Sequence, residues 1–224
     1  MNYSLPVDQI IQGDTLKVLK TFPDECIDCI ITSPPYWGLR DYGESTNTIW
    51  GGDPNCKHEF ELEHIYREPS KTGEISEKAK IGQGYRNYKS GFCKKCGAWY
   101  GQLGLEPTLK MYIEHLLQIT AELKRILKPT GVMFWNHGDS YFNDSRGGIR
   151  PTGENSCVKQ EGRYKGSVKI LSKLQPKCLC LQNYRLILRM IDKQGWILRN
   201  IIIWYKPNHM PSSVKDRFTN AYEP

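Results

Sequence analysis

The sequence predicts an α/β fold built around a parallel sheet. Cys26 to Thr32 and Gly131 to Asn136 are short, apolar runs of the kind that form buried strands. Between them, Thr108 to Leu127 repeats apolar residues at helical spacing. A strand–helix–strand order with apolar strands favours a parallel pair joined by a crossover helix.

Taken in order, Val7-Asp8-Gln9-Ile10-Ile11 reads as a short strand, Gly13-Asp14 as the turn after it, and Thr15 to Leu19 as a short helix. The strand from Cys26 must stop at Ser33-Pro34-Pro35, because proline has no N–H for a ladder. Residues 39–106 are polar, rich in Gly, Lys and Tyr, and weakly periodic, which marks an insertion. In the long helix, Ile113, Leu116, Thr120, Leu123 and Leu127 share one face, with Leu117 and Ile126 beside them. Pro107 and Thr108 suit its start; Lys128-Pro129 and Gly131 suit its stop. The next strand leads into Gly138-Asp139-Ser140. Residues 143–177 form a polar stretch expected to be a mobile loop. Leu181 to Lys193 reads as a second amphipathic helix using Leu181, Tyr184, Leu188 and Ile191. Trp196 to Tyr205 reads as a long strand, and Lys206 to Pro224 has no periodic signal. The expected organisation is core residues 1–38, an insertion 39–106, core helix and strand 107–142, a polar loop 143–177, and a further helix and strand opening a C-terminal segment, 178–224.

The 224 residues suffice for one sizeable core, or a core plus a small module. The net charge of +7, from 31 basic and 24 acidic residues, favours a polyanionic partner. No apolar run approaches membrane-spanning length. Met1 to Asp14 has no basic region of the secretory type, so the expectation is a cytoplasmic protein with no membrane partner. In a reducing compartment the eight cysteines point to metal binding before disulfides.

The segment Thr32-Ser33-Pro34-Pro35-Tyr36-Trp37 carries the chemistry. An exocyclic amine on a nucleobase is a poor nucleophile, since its lone pair is delocalised into the ring. Acceptors on its hydrogens let the nitrogen pyramidalise and aim that lone pair at an electrophile. The Ser33 hydroxyl and the Pro34 carbonyl can supply two such acceptors. Pro35 stiffens the backbone and brings no competing N–H. Tyr36 offers a face on which an extruded base can stack. The end of a strand is also where α/β sheets put their sites. Asp139, in the turn after the second strand, reads as a turn-capping carboxylate or as a contact to the base.

A second signal lies in the insertion. Cys93-Lys94-Lys95-Cys96 has the spacing that lets two thiolates reach one ion across a tight turn, with Gly97 after it. Cys56 and His58 complete four N/S ligands for a structural zinc, and His64 competes as a ligand. Such an ion would fix a polar insertion with little core of its own. Cys178 and Cys180 read as incidental, and Cys26 and Cys29 as strand core. Lys, Arg and Tyr recur from Tyr85 to Tyr100 and from Lys159 to Lys177. That composition suits phosphate and base contacts or a solvated loop.

Gly13-Asp14-Thr15-Leu16, Phe22-Pro23 and Ile27 to Trp37 together resemble the start of the beta-group amino DNA methyltransferases. The resemblance continues through Gly101 to Pro107, Asn136 to Tyr141, Gly195 to Arg199, Ile203 to Asn208 and Met210 to Arg217. It implies a partial Rossmann-like methyltransferase sheet with a small zinc-binding insertion. It implies methyl transfer from S-adenosylmethionine to cytosine N4 or adenine N6 of double-stranded DNA, with the target base flipped, in a restriction-modification or orphan modification setting. Ser33, where other members have Asp, leans toward cytosine. Ser33, Pro34, Pro35 and Tyr36 would be the target-amine loop. Asp14 would sit near the cofactor's adenine, or serve only as a helix cap. Related methyltransferases carry a similar Cys/His insert. The family's glycine loop for the cofactor has no match: Gly82-Gln83-Gly84 and Gly147-Gly148 follow no apolar strand. The expectation is a chain incomplete for cofactor binding, with a separate chain as one source of that loop. The alternatives are a non-catalytic, zinc-containing DNA-binding fragment, or a methyltransferase acting on RNA or protein glutamine. Ser33 argues against the glutamine case, where Asn is typical.

Overall fold

A computed structural model describes residues 5–65, 88–142, 174–175, 177–209 and 214–224. The Gly82 and Gly147 pairs, nearly all of 143–177 with its basic stretch, the start of the stretch from Tyr85, and residues 210–213 lie outside the described residues. The chain folds as two compact units. One comprises Met1–Trp37, Ile113–Ser140 and Leu181–Pro224; the other comprises Gly38–Tyr112 and Tyr141–Cys180.

The first unit opens with helix α1 (Thr15–Leu19), started by Asp14. Strand β1 (Ile27–Thr32) runs parallel to β6 (Leu127–Trp135), which follows the long helix α2 (Leu109–Ile126). This is the parallel pair that the strand–helix–strand pattern predicts. Ile30 pairs Met133, Ile31 pairs Phe134, and Thr32 pairs Trp135. The strand begins earlier than expected, at Leu127, because a bulge opposite Asp28 absorbs Lys128 to Gly131. The Lys128 ammonium reaches both Asp28 oxygens at 2.8 Å and ties the bulge to β1.

The helix α2 buries Ile113, Leu116, Leu117, Thr120, Leu123 and Ile126, the face its periodicity marks. Helix α3 (Gln182–Gln194) differs from expectation. Its buried face carries Gln182, Asn183, Leu186 and Met190, while Leu188 is 60% exposed and Leu181, Tyr184 and Ile191 are also exposed. Gln182 turns inward because hydrogen-bond partners wait for it at Trp37 and Ser140, and that outweighs the apolar stripe.

Three further expectations are corrected. Val7 to Ile11 forms no strand, and Ile10 is almost fully exposed. Cys29 is exposed rather than core. It shares one face of the pair with Ile31, Val132 and Phe134, and Ile31 is 80% exposed. Trp196 to Tyr205 is strand only at β7 (Trp204–Tyr205), antiparallel to β8 (Tyr222–Glu223). A strand needs a neighbour for its N–H and C=O groups, and among the described residues none pairs with 196–203.

The second unit holds a four-stranded antiparallel sheet, which the weak periodicity of its sequence did not suggest. Its order is β2 (Thr48–Trp50), β5 (Trp99–Gly101), β4 (Tyr88–Cys93), β3 (Phe60–Ile65). Trp50 pairs Trp99 across the sheet, and both rings are buried with Ala98 and Cys93. No helix among the described residues is long and apolar enough to cross a membrane.

Candidate active site and metal centre

The parallel register sets the first site. With Thr32 opposite Trp135, Ser33 and Asn136 leave the ends of β1 and β6 side by side, and the Asn136 N–H donates to the Thr32 carbonyl at 3.0 Å. Ser33 is exposed, Pro34 to Tyr36 are half-buried, and Trp37 is buried. The Tyr36 hydroxyl donates to Asn136 Oδ1 at 2.6 Å and lies 3.3 Å from Glu223 Oε2. Ser33 Oγ is 3.4 Å from both the Tyr36 hydroxyl and Asn136 Oδ1. Lys206 forms an ion pair with Glu223 and also lies 5.2 Å above the Trp204 ring. Glu223 is thereby fixed beside the tyrosine.

Tyr36 packs tilted against His137, with ring centroids 5.4 Å apart. Gly138 makes room for it: a Cβ there would lie 2.7 Å from Tyr36 Cε2. His137 is 1% exposed, and burial pushes its imidazole down to about 4, against a hydrogen bond with Gln182 that acts the other way. The ring is neutral near pH 7, and its Nδ1 accepts from the Trp135 indole N–H at 3.3 Å.

Behind the loop lies a closed ring of three hydrogen bonds. The Trp37 N–H donates to Gln182 Oε1 at 2.9 Å, Gln182 Nε2 donates to Ser140 Oγ at 3.2 Å, and Ser140 Oγ donates to the Trp37 carbonyl at 3.3 Å. Asp139 anchors that ring. Its carboxylate accepts from the N–H groups of Leu181, Gln182 and Ser140 at 2.8, 3.2 and 2.9 Å. It therefore caps the start of α3, where Leu181 holds a left-handed φ of 51°. The capping role is the one the geometry supports for Asp139, since both oxygens are engaged with backbone.

Asp14 caps α1 by accepting the Lys17 N–H at 3.0 Å. It also stands on the wall of a cavity of about 450 Å3, with Pro6, Ile11, Phe22 and Pro23 around it. Its Oδ2 has no hydrogen bond among the described residues. Apolar walls with one open carboxylate oxygen fit an adenosine group.

The second unit brings Cys56, His58, Cys93 and Cys96 together, their ligand atoms all within 4.8 Å of one another. Cys56 Sγ and Cys93 Sγ are 4.0 Å apart, and Cys96 Sγ lies 3.3 Å from His58 Nδ1. Zinc bound tetrahedrally at about 2.3 Å per sulfur puts sulfurs about 3.8 Å apart, so the set fits such an ion. The Cys93 N–H bonds the Ala98 carbonyl at 2.7 Å, closing the turn, and Gly97 takes the left-handed φ of 73° that the turn needs. Burial by itself would raise the Cys93 thiol, but backbone N–H groups of Glu59, Cys96 and Lys95, with His58, hold it down at about 5. Burial and the two neighbouring thiols push Cys56 up to about 11. His64 lies on β3, with its side chain outside those described.

A family model described as DNA methylase matches residues 27–224. The chain belongs to the N6/N4 DNA methylase family. The type II methyltransferase M.XycI of Xanthomonas campestris pv. cyanopsidis is 32% identical over 214 residues, covering 96% of this chain and 51% of that protein. M.Cfr9I of Citrobacter freundii is 31% identical over 214 residues, with the same coverage. M.MwoI of Methanothermobacter wolfeii is 34% identical over 216 residues, 96% of this chain and 20% of that protein. The chain thus spans about half the length of the first two relatives. A solved structure, the cytosine-N4-specific PvuII DNA methyltransferase, aligns over 94% of this chain and 45% of that one, at 18% identity and a TM-score of 0.47.

The residues read from the motif are Ser33 to Tyr36. Those that hold the motif in place are Asn136, His137, Ser140, Gln182 and Glu223, and the sequence reading assigned none of them a role. Asn136, His137 and Ser140 lie in a segment that carries the family resemblance. Gln182 and Glu223 have no signal in the sequence, because only the tertiary fold brings them to the loop.

Proposed function

We propose that this methylase transfers a methyl group from S-adenosylmethionine to the exocyclic amine of a flipped base in double-stranded DNA, with cytosine N4 the preferred acceptor. The observation that carries the proposal is the exposed Ser33 hydroxyl at the end of a parallel strand pair, beside a tyrosine whose hydroxyl is held by Asn136 and Glu223. The cofactor supplies an electrophilic methyl on a positively charged sulfur. Ser33 Oγ and the Pro34 carbonyl accept the two amine hydrogens and turn the nitrogen lone pair outward. The N–CH3 bond forms as the S–CH3 bond breaks, the bonding pair stays on sulfur, and the nitrogen releases one proton to water. Tyr36 presents a ring against which the base stacks, and its hydroxyl bonds keep that ring from rotating. Asp14 and its cavity take the adenosine end of the cofactor.

The Cys56, His58, Cys93 and Cys96 cluster holds a structural zinc, which crosslinks the strands of the second unit. The thiol and imidazole spacing supports it. The relatives are named type II methyltransferases, which supports a restriction-modification setting.

The test is made on cells carrying the natural locus, whose genomic DNA is hydrolysed and analysed by mass spectrometry for N4-methylcytosine and N6-methyladenine. N4-methylcytosine that falls well below the parent level with Ser33→Ala and with Tyr36→Ala is the expected result. Adenine methylation instead would correct the target. Unchanged methylation in both variants would remove the roles given to the loop. DNA binding with no modified base under any condition would favour a DNA-binding fragment without catalysis.

A further inference from the structure

The geometry points to Asn136 as a positioning residue that fixes the direction of the Ser33 hydroxyl hydrogen, so that the Oγ lone pairs face the target amine. This rests on Ser33 being an acceptor for that amine, as proposed above.

A serine hydroxyl carries one hydrogen and two lone pairs. An exposed hydroxyl rotates freely, and in one of its rotamers it would present hydrogen to hydrogen against the amine. An acceptor role therefore requires another atom to take the hydroxyl proton. Among the described residues, two oxygens lie within reach of Ser33 Oγ, the Tyr36 hydroxyl and Asn136 Oδ1, each at 3.4 Å. They are not equivalent. The tyrosine oxygen carries a hydrogen of its own and can meet Ser33 as donor or as acceptor. Asn136 Oδ1 has two lone pairs and no hydrogen, so it meets Ser33 only as acceptor. One of its lone pairs takes the Tyr36 hydroxyl at 2.6 Å. That bond also directs the Tyr36 proton away from Ser33, so the second lone pair of Oδ1 and the lone pairs of the tyrosine oxygen both face the serine as acceptors, and Asn136 sets both. The 3.4 Å separation is long for such a bond, and hydrogen bonds of this type commonly shorten once substrate closes the site.

The placement of Asn136 comes from the backbone. Thr32 pairs Trp135 in the parallel ladder, and the next residue on each strand is Ser33 and Asn136. The Asn136 N–H held by the Thr32 carbonyl keeps the two side chains adjacent whatever the surrounding loops do. Both hydroxyls of the motif are thus oriented by one carbonyl oxygen from the neighbouring strand.

Asn136 also braces Tyr36, so the experiment separates the two effects. Kinetics are measured on the holoenzyme purified from cells carrying the natural locus, in a Tyr36→Phe background, where Asn136 has only Ser33 to orient. Asn136→Ala is expected to lower kcat about tenfold, roughly the worth of one hydrogen bond, with KM for DNA and for cofactor within about twofold. Asn136→Asp, which keeps an acceptor oxygen, is expected to recover most of the loss. When Ser33→Ala is present as well, Asn136→Ala is expected to cost nothing more, because the group it orients is gone. An equal loss with and without Ser33 would overturn the inference, as would failure of Asn136→Asp to exceed Asn136→Ala. Full activity of Ser33→Ala alone would instead overturn the reading of Ser33 as the amine acceptor.

Discussion

The Tyr36 hydroxyl and Asn136 Oδ1 meet at 2.6 Å although a hundred residues separate them in sequence. One residue follows β1 and the other follows β6, so the bond exists only when the parallel pair is in register. It couples the motif's aromatic to the sheet that carries it. Removing the hydroxyl with Tyr36→Phe should keep the ring against His137 and lower stability by about 1 kcal/mol. Tyr36→Ala also loses the ring contact and should cost more. Urea denaturation of the two variants gives the order; equal midpoints would refute it.

Gly138 should tolerate no side chain. An alanine Cβ would stand 2.7 Å from Tyr36 Cε2 and 3.3 Å from Glu223 Cδ. Tyr36 is held by Asn136 and Glu223 and has little freedom to withdraw. Gly138→Ala is expected to destabilise by roughly 1–3 kcal/mol, as overpacking does, and to reduce methyl transfer with it. A variant as stable as the parent would show that the loop yields.

The ring through Trp37, Gln182 and Ser140 makes a sharper demand. Gln182 is fully buried and supplies two of the three bonds, one as acceptor and one as donor. Gln182→Ala should cost about 2–3 kcal/mol, the range for disrupting buried hydrogen bonds. Gln182→Glu keeps the acceptor for the Trp37 N–H but turns the other arm into a second acceptor. It should therefore fall between parent and alanine at acidic pH and approach alanine near neutrality, which a denaturation series at two pH values would reveal.

His137 predicts a pH dependence of definite sign. In an unfolded chain the imidazole titrates near about 6.5, whereas burial holds it neutral down to about 4 in the folded protein. Between those values the unfolded state binds the extra proton, so acid favours unfolding. The contribution is complete above the unfolded value and is lost as pH falls toward the folded one, on the order of 3 kcal/mol across the window. His137→Gln should flatten the stability profile between pH 6.5 and 4, as read by thermal melts. An unchanged slope would mean that the proton goes elsewhere.

The metal proposal is tested on the second unit. Elemental analysis should find about one zinc per chain, the content expected of a single four-ligand site, and Cys93→Ser should lose it. Chelation should shift the fluorescence of Trp50 and Trp99, which are buried in the sheet whose β4–β5 hairpin carries Cys93 and Cys96. Metal content indifferent to Cys93 would remove the zinc.

Much of this protein is visible in local pattern. The apolar runs around Ile30 and Met133, with the helical face of Ile113, Leu116 and Leu123, are local signals of burial, and they predict the parallel pair and its crossover helix. Pro34 and Pro35 end β1 by covalent chemistry alone, which marks the motif loop. The Cys-Lys-Lys-Cys spacing likewise anticipates two neighbouring thiols. What one dimension does not contain is register and face. Whether Asn136 stands beside Ser33 depends on how β6 slides against β1, and a three-dimensional bulge at Lys128 to Gly131 sets that. The inward face of α3 is set by partners for Gln182 at Trp37 and Ser140, not by its leucines, because satisfying a buried amide outweighs exposing Leu188. The stretch from Trp196 to Ile203 has the composition of a strand, but a strand also needs a neighbour, and pairing is a property of the assembled fold. Glu223 reaches Tyr36 only because β8 pairs with β7, a contact between residues that no local periodicity links.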